Sequence, residues 1–504
     1  MSILNGMVKL LLKERLKDIE YFLAHPHDAQ HRTFNYLIRK ATNTEWGNRY
    51  DYASISSIKI FKERIPIQGY DDVKPYVDRI LKGEQNILWD TPIRWLAKSS
   101  GTTSDKSKFI PVSKESLEDN HYRGGKDIMA IFNEHFPDSK LYSDKGKGLI
   151  IGGSHQISSY SEDVSFGDLS AVLLQNLPMI ARYFRAPSLS VALLDEWEMK
   201  LDLMAKETMN DNITFLAGVP SWTIVLFKKI LELTGANNMH EVWPNLEMYM
   251  HGGVNFGPYK EQFDQFLPNQ STAYFQTYNA SEGFFSLQSM PGADDMALCL
   301  NHGIYFEFMP MSEVNQEYPQ TLELDQVEIG VNYVIIISTN AGLWRYKVGD
   351  TIKFTSTSPY KIQVTGRMKH FINAFGEELI IENAVAALTK AANETGAKVR
   401  EYTAAPIYFK GKEAGGHEWL IEFDNEPSDL NAFTKTLDAC LKAVNSDYEA
   451  KRYNDYNMKM PVVISARKDL FYDWLKLKGK LGGQHKIPRL YNDRSYIDEI
   501  KELI

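Results

Sequence analysis

The sequence predicts an α/β protein: a large N-terminal domain built on parallel or mixed sheets, then a smaller C-terminal α+β domain. Three observations carry this. The chain has 504 residues, 43% apolar and 24% charged, which is the composition of a soluble globular protein. That length accommodates about two to four domains. Beyond about residue 80, short apolar runs with strand character alternate with amphipathic helical stretches, the signature of strands covered by helices. A second α/β pattern begins past Gly366, which places a boundary at Gly366–Lys369 and gives domains 1–366 and 367–504.

The elements follow in order. Up to about residue 80 the spacing is helical. Val8, Leu11, Leu12, Leu16, Ile19 and Leu23 recur as one apolar stripe in a segment too rich in charge for a signal peptide. Buried strands are expected at Leu149–Ile151, Ile213–Ala217, Leu246–His251, Thr272–Thr277 and Tyr333–Ser338, with amphipathic helices at Ser116–Phe132 and Thr223–Leu233. Thr351–Thr365 reads as a hairpin around Ser-Thr-Ser-Pro. In the second domain a helix at Glu382–Asn393 precedes strands at Ala405–Phe409 and Trp419–Phe423. A helix at Asp429–Tyr448 and a strand at Val462–Ala466 follow.

Composition also limits function. The formal charge of −9 argues against a dedicated nucleic-acid binder, because a mildly acidic surface repels phosphate backbones. No run reaches the roughly 18 apolar residues of a membrane span. Cys299 and Cys440 lie far apart in apolar surroundings and read as buried free thiols of a reducing compartment, so a cytoplasmic protein is expected. His25, His27 and His31 cluster around Pro26 without the carboxylate or histidine spacing of a metal site.

Five segments carry chemistry. In KSSGTTSDKSKFIPVS (Lys98–Ser113), a short apolar run enters a loop rich in Ser, Thr and Gly that ends at Lys108. Such a loop turns amides and hydroxyls into one concavity suited to an anion, and alone it reads equally as a polar surface loop. In STAYFQTYNASEGFF a strand leads to Tyr278, with Ser281 and Glu282 just beyond its carboxyl end, where open α/β sheets bind ligands. The alternative is a core tyrosine with a helix-capping Ser-Glu pair. LWRYKVGD holds Arg345 and Asp350; an ionised Asp accepts hydrogen bonds only, which suits a ribose diol, and the pair also fits a turn Asp beside a structural Arg. MHGGVNF sets Gly252 and Gly253 between a strand and a helix, so a flat base can lie against the backbone. GKLGGQHKIPRL is a Gly-rich loop carrying Lys486 and Arg489.

Together these resemble the adenylate-forming superfamily, and within it the acyl acid amido synthetases: the auxin-responsive Gretchen-Hagen family of plants and its bacterial relatives. SSGTTSDKSK is similar to that family's SSGTSxGxxK loop, YNASE to its YxxSE, and WRYKVGD stands in place of YRxGD. GRMKHFINAFGEELIIENA resembles the crossover GRxKDxI…GxxVxxxEIE, and HKIPRL the GKxxR lysine motif. The likeness runs from near Glu45 to Arg489.

The resemblance implies an adenylate-forming fold with a small β-barrel-like part and a mobile C-terminal domain. Its substrates are ATP, a small carboxylic acid, and an amine or amino acid, with Mg2+ as cofactor. By the same resemblance Ser99, Ser100, Thr102, Thr103 and Lys108 hold the β- and γ-phosphates of ATP. Tyr278, with Gly252, Gly253 and Val254, sandwiches adenine, and Ser281 belongs to the same segment. Glu282 binds magnesium, and Asp350 with Arg367 takes the ribose. Lys486 reaches the substrate carboxylate and the α-phosphate, and Lys369 is the hinge. Ser104-Asp105 and His485 depart from the family pattern. No acyl-pocket pattern is recognisable; Trp222 is the best single candidate within Leu169–Trp222. An acyl-CoA ligase and a non-catalytic nucleotide-binding scaffold are the competing functions.

Overall fold

The computed structural model describes residues 3–99, 108–142, 146–152, 158–160, 163–194, 196–253, 256–269, 271–314, 316–367, 372, 374, 377, 379–408, 415–445, 448–449, 452, 458–480, 487–491 and 494–504. By compactness the chain falls into two units. The first holds Met1–Val348, Ile352–Gln363 and Gly482–Gln484; the second holds Gly349–Thr351, Val364–Leu481 and His485–Ile504.

Helices fill the first 81 residues, at Ile3–Ala24, Pro26–Ala41, Glu45–Arg49, Ile58–Arg64 and Tyr70–Leu81. The buried face of the first helix is made by Leu12, Ile19 and Phe22, whereas Leu11 is exposed. Leu11 sits about 100° around the helix from Leu12, so the two cannot share a narrow stripe, and the expected stripe is corrected accordingly. Arg15 anchors this helix through its guanidinium, 2.8 Å from the fully buried Asp127. Asp127 in turn meets His302 at 2.8 Å.

The strands that frame the first unit are β1 (Trp95–Ser99), β2 (Lys108–Val112), β3 (Lys147–Ile150), β4 (Ser158–Ser159), β5 (Ser165–Gly167), β6 (Arg185–Ala186), β7 (Ile213–Ala217) and β8 (Met248–Gly252). They are followed by β9 (Ala273–Ala280), β10 (Gly283–Leu287), β11 (Met296–Leu298), β12 (Ile304–Pro310), β13 (Asn332–Thr339), β14 (Tyr346–Thr357) and β15 (Tyr360–Arg367). Among the described residues, eleven strands form one sheet in the order β12-β13-β14-β15-β11-β10-β9-β8-β7-β3-β6. The run β6-β3-β7-β8-β9 is parallel, and β9-β10-β11-β15 is antiparallel. Strand β7, ITFLA, is apolar without alternation, as expected of a strand covered on both faces. A second sheet has the order β2-β1-β5-β4.

In the second unit β16 (Lys398–Ile407), β17 (Gly416–Asn425) and β18 (Val462–Ala466) form a three-stranded sheet. Side chains alternate between two cores. Tyr402, Ala404, Trp419 and Ile421 face the helices Ile381–Thr395 and Leu430–Val444, while Ala405 and Leu420 face Leu470–Leu477 and Ser495–Lys501. Period-two alternation with apolar residues on both faces is what a sheet between two helical layers requires. Several boundaries differ from expectation, among them the helix expected at Ser116–Phe132, which runs Tyr122–His135, and three in or near the sheets. β16 starts at Lys398 rather than Ala405, β9 continues to Ala280, and the last long helix stops at Val444. For the two strands polar residues on the half-exposed edges had hidden the strand period. Cys299 and Cys440 are free and buried. His25 is the N-cap of helix Pro26–Ala41, and among the described residues no cluster of His, Cys, Asp or Glu is arranged to hold a metal ion.

Candidate active site

Within the first unit, β1 and β2 pair antiparallel with Ser99 directly opposite Lys108. The Ser/Thr/Gly loop is therefore a hairpin loop closed at its base by these two residues. Ser100, Thr102 and Thr103 lie outside the described residues. The base is tied down by Tyr70: the Phe109 N–H donates to its hydroxyl at 2.8 Å, and the Lys108 ammonium stands 5.6 Å from its ring. The exit of the hairpin is equally fixed. The buried Ser113 hydroxyl donates to the Asn340 carbonyl at 2.6 Å and accepts from the Ser116 N–H at 2.9 Å, capping the next helical turn.

Gly252 ends β8 in register with Thr277, one residue before Tyr278 on the neighbouring parallel strand. A β-carbon on Gly252 would fall 2.5 Å from the Thr277 carbonyl oxygen, so the two backbones approach as only glycine allows. Gly253 follows at φ +79°, turning the chain away from the sheet. Val254 lies outside the described residues. Gly252, Gly253 and Tyr278 thus gather at the carboxyl ends of adjacent parallel strands, the position of ligand crevices in such sheets. Tyr278 is buried, its ring 4.9 Å from Phe285 in an edge-to-face contact. Ser281 and Glu282 are not a helix cap. They form the tight turn between β9 and β10, both half-exposed. A part-exposed carboxylate in a turn is a hard oxygen donor that suits Mg2+.

Trp222 is buried in the first turn of helix Pro220–Thr234. The loop before that helix is held by Tyr249, whose hydroxyl donates to the Gly218 carbonyl at 3.0 Å. Arg345 is resolved as a structural residue. Its guanidinium spans Glu307, Thr321 and the carbonyls of Lys62 and Ile65.

In the second unit, Asp350 is buried on β14, beside Gly349 at φ +88°. Arg367 ends β15; its side chain, like Lys369 and Lys486, lies outside the described residues. The segment after Lys486 is firmly anchored. Leu490 bridges Ala404 of β16, the Ala404 N–H donates to the Arg489 carbonyl at 2.8 Å, and the Thr403 hydroxyl donates to Pro488. Arg489 pairs with Glu401 at 2.8 Å and lies 4.6 Å over the Tyr402 ring, so it is an anchor for the motif.

Two residues next to the Tyr278–Glu282 hairpin escape sequence reading, Asn120 and His121. They are polar yet buried on an amphipathic stretch, and that mismatch was their only signal. Burial pushes His121 down to about 4 and His251, beside Gly252, down to about 3, both from 6.5. Both imidazoles are therefore neutral near pH 7. The unfolded chain binds protons near pH 6.5 that the fold refuses, so stability is complete above that pH and is lost as pH falls toward 4. At about 1.4 kcal/mol per unit, the His121 share is about 3 kcal/mol. Urea midpoints measured at pH 7.5 and pH 5 test this: the fall should be shallower in a His121→Gln chain. Equal falls in both chains would contradict it.

The comparisons with known proteins bear on the whole chain. The sequence model of the GH3 family N-terminal domain matches residues 15–272, the central domain 297–367 and the C-terminal domain 382–495. Indole-3-acetic acid-amido synthetase GH3.3 of Arabidopsis thaliana is 24% identical over 94% of this chain and 91% of its own. The 4-substituted benzoates-glutamate ligase GH3.12 of the same plant is 22% identical, covering 95% and 94%. Among solved structures, the GH3.15 acyl acid amido synthetase in complex with 2,4-DB has a TM-score of 0.79 at 18% identity over 97% of this chain and 96% of that one. A 2-hydroxyisobutyryl-CoA ligase in the postadenylation state has a TM-score of 0.54 at 12% identity, covering 98% and 91%. These structural likenesses are likenesses of fold, and the fold is that of adenylate-forming ligases.

Proposed function

Because the chain belongs to the GH3 family, we infer that it is an ATP-dependent acyl acid amido synthetase. The observation that carries this is the match to all three family domains in order, from residue 15 to residue 495. In the first half-reaction an oxygen of a small carboxylic acid attacks the α-phosphorus of ATP. The bond to the leaving pyrophosphate breaks, giving an acyl-adenylate. In the second, an amine nitrogen attacks the acyl carbon, the carbon–oxygen bond to phosphate breaks, AMP departs, and the nitrogen gives up its proton. An amino acid is the amine we propose, by analogy with the glutamate ligase among the relatives.

The charge that builds on the phosphoryl oxygens is best met by donors already in place, which need no reorganisation as it develops. We assign Ser99, Ser100, Thr102, Thr103 and Lys108 to the β- and γ-phosphates. Support comes from the pairing of Ser99 with Lys108, which brings the two ends of this segment together at one fixed base. Tyr278, with Gly252, Gly253 and Val254, takes adenine, and Asp350 with Arg367 takes the ribose hydroxyls. Ser281 and Glu282 sit at the turn, where Glu282 would hold Mg2+, an ion that supplies charge neutralisation between the phosphates. Lys486 meets the carboxylate and the α-phosphate. The domain after Lys369 acts as a lid that keeps water from the labile mixed anhydride. Trp222 is assigned to the acyl pocket. No described helix is long and apolar enough to cross a membrane; a cytoplasmic location is proposed.

Carboxylate-dependent exchange of labelled pyrophosphate into ATP, run across a panel of aryl and aliphatic acids, tests the first half-reaction. Trapping with amino acids or coenzyme A tests the second. Amide products are expected. Thioester formation from coenzyme A alone would make the chain an acyl-CoA ligase, and no exchange with any acid would leave a non-catalytic nucleotide binder.

A further inference from the structure

We propose that Asn120 and His121 are positioning residues that clamp both strands of the β9–β10 hairpin and so set where Tyr278 and Glu282 stand. The proposal rests on the assignment of that hairpin to the nucleotide and its metal ion.

The clamp is built by an irregular turn. Between the Ser113 cap and the helix Tyr122–His135, the chain makes one π-helical turn at Leu117–His121, closed by the Tyr122 N–H on the Leu117 carbonyl. Such turns are rare, poorer in geometry than α-turns, and concentrated at functional sites. Here the wider turn presents two consecutive polar side chains to two different strands.

Asn120 reads the backbone of β10. Its Oδ1 accepts from the Phe284 N–H at 2.7 Å, and its amide donates to the Phe284 carbonyl at 3.2 Å and the His302 carbonyl at 2.9 Å. All these groups are buried, so none has water as an alternative partner. The register between β9 and β10 shifts just here, between Phe284 and Ser286, leaving Phe285 outside the pairing and against the Tyr278 ring. A bulge of this kind re-aims side chains and is held only where something fixes it.

His121 reads β9. Its Nδ1 lies 3.1 Å from Oδ1 of Asn279, the residue after Tyr278, which is otherwise exposed. Because burial keeps this imidazole neutral, the contact is the same throughout the physiological pH range. The helix comes close enough for both contacts because Gly124 has no side chain: a β-carbon there would fall 2.4 Å from the Phe284 ring. The same continuous segment that begins at Lys108 of the phosphate hairpin therefore also fixes the hairpin of Tyr278 and Glu282.

The test uses His121→Phe, which preserves bulk and removes the contact, His121→Gln, which retains a hydrogen-bonding group, and Asn120→Ala. Pyrophosphate exchange is measured against ATP and Mg2+ concentration, with melting temperature followed in parallel. Misplacing a reacting group by about 1 Å costs on the order of 10²-fold. We therefore expect His121→Phe to lower kcat by roughly 10- to 100-fold and raise the half-saturating Mg2+ several-fold, with His121→Gln recovering most of both. Normal Mg2+ and ATP dependence in His121→Phe and in any folded Asn120→Ala would overturn the clamp. Glu282→Gln separates the two ideas: if it removes exchange while the clamp variants behave normally, only the clamp fails. If Glu282→Gln itself leaves exchange and its Mg2+ dependence unchanged, the hairpin is not the metal site and the clamp falls with it.

Discussion

Replacing Lys486 with alanine is expected to lower carboxylate-dependent pyrophosphate exchange by about 10²–10³-fold while ATP affinity changes little, because removing one donor aimed at developing charge costs roughly that much. The asymmetry follows from what the lysine is assigned to meet. On the proposed assignment, ground-state ATP is gripped along its triphosphate by the segment between Ser99 and Lys108, and its adenine by the edge near Tyr278. One ammonium near the α-phosphate and the incoming carboxylate gains most when both oxygens share the negative charge of the transition state, so its loss appears in kcat rather than in binding. A folding artefact is controlled by the neighbours. Ile487 is buried in a core of the second unit, and residues 488–491 are held to β16 through their own backbone groups. Equilibrium nucleotide binding and exchange rate, measured on the same preparation, check the prediction. An exchange rate within a few-fold of the parent chain would remove Lys486 from the reaction.

The parts of the fold visible in the sequence share a physical reason. Strands such as β7 and β18 are short and uniformly apolar or cleanly bounded, and the residues Ile213–Ala217 and Val462–Ala466 were legible as they stand. Strands β10 to β12 were not anticipated. GFFSL, MAL and IYFEFMP are almost wholly buried, so they lack the alternation that separates a strand from a buried helix segment. Of the candidate site, the sequence pointed to the turn positions: Gly252 answers to a backbone approach that excludes a β-carbon, and Ser281 and Glu282 form the turn between β9 and β10 rather than a helix cap. The site was not legible in its supports. Asn120 and Ser113 act on backbone groups, and His121 on the Asn279 side chain, all far away in sequence, and no local pattern announces a partner 164 residues on. Arg345 and Asp350, neighbours in one motif, also take different parts: the first is consumed by the fold, and the second is buried on the strand that follows.

Arg345→Ala is expected to destabilise the protein by about 3–5 kcal/mol, the cost of breaking a buried ion pair by removing one partner. Its side chain and that of Glu307 are 6% and 1% exposed, which leaves water no part in the pair. Nε lies 3.0 Å from one carboxylate oxygen and Nη2 2.9 Å from the other, while Nη1 donates to the Lys62 carbonyl at 2.8 Å and the Ile65 carbonyl at 2.6 Å. Nη2 also reaches the Thr321 hydroxyl, which itself donates to Glu307. Arg345 holds this geometry at φ +43°, a backbone conformation uncommon for a residue with a side chain, so the surrounding contacts over-determine it. A lysine offers one compact charge and cannot span four partners, so Arg345→Lys should lose most of the same stability. A double-mutant cycle decides whether the cost lies in the bond or in the stranded carboxylate. If it is the carboxylate, Arg345→Ala combined with Glu307→Leu should be more stable than Arg345→Ala alone, because replacing both partners removes the unpaired buried charge. Urea unfolding of the three variants measures this directly. An Arg345→Ala protein within about 1 kcal/mol of the parent would show that this buried pair does not hold the surrounding fold.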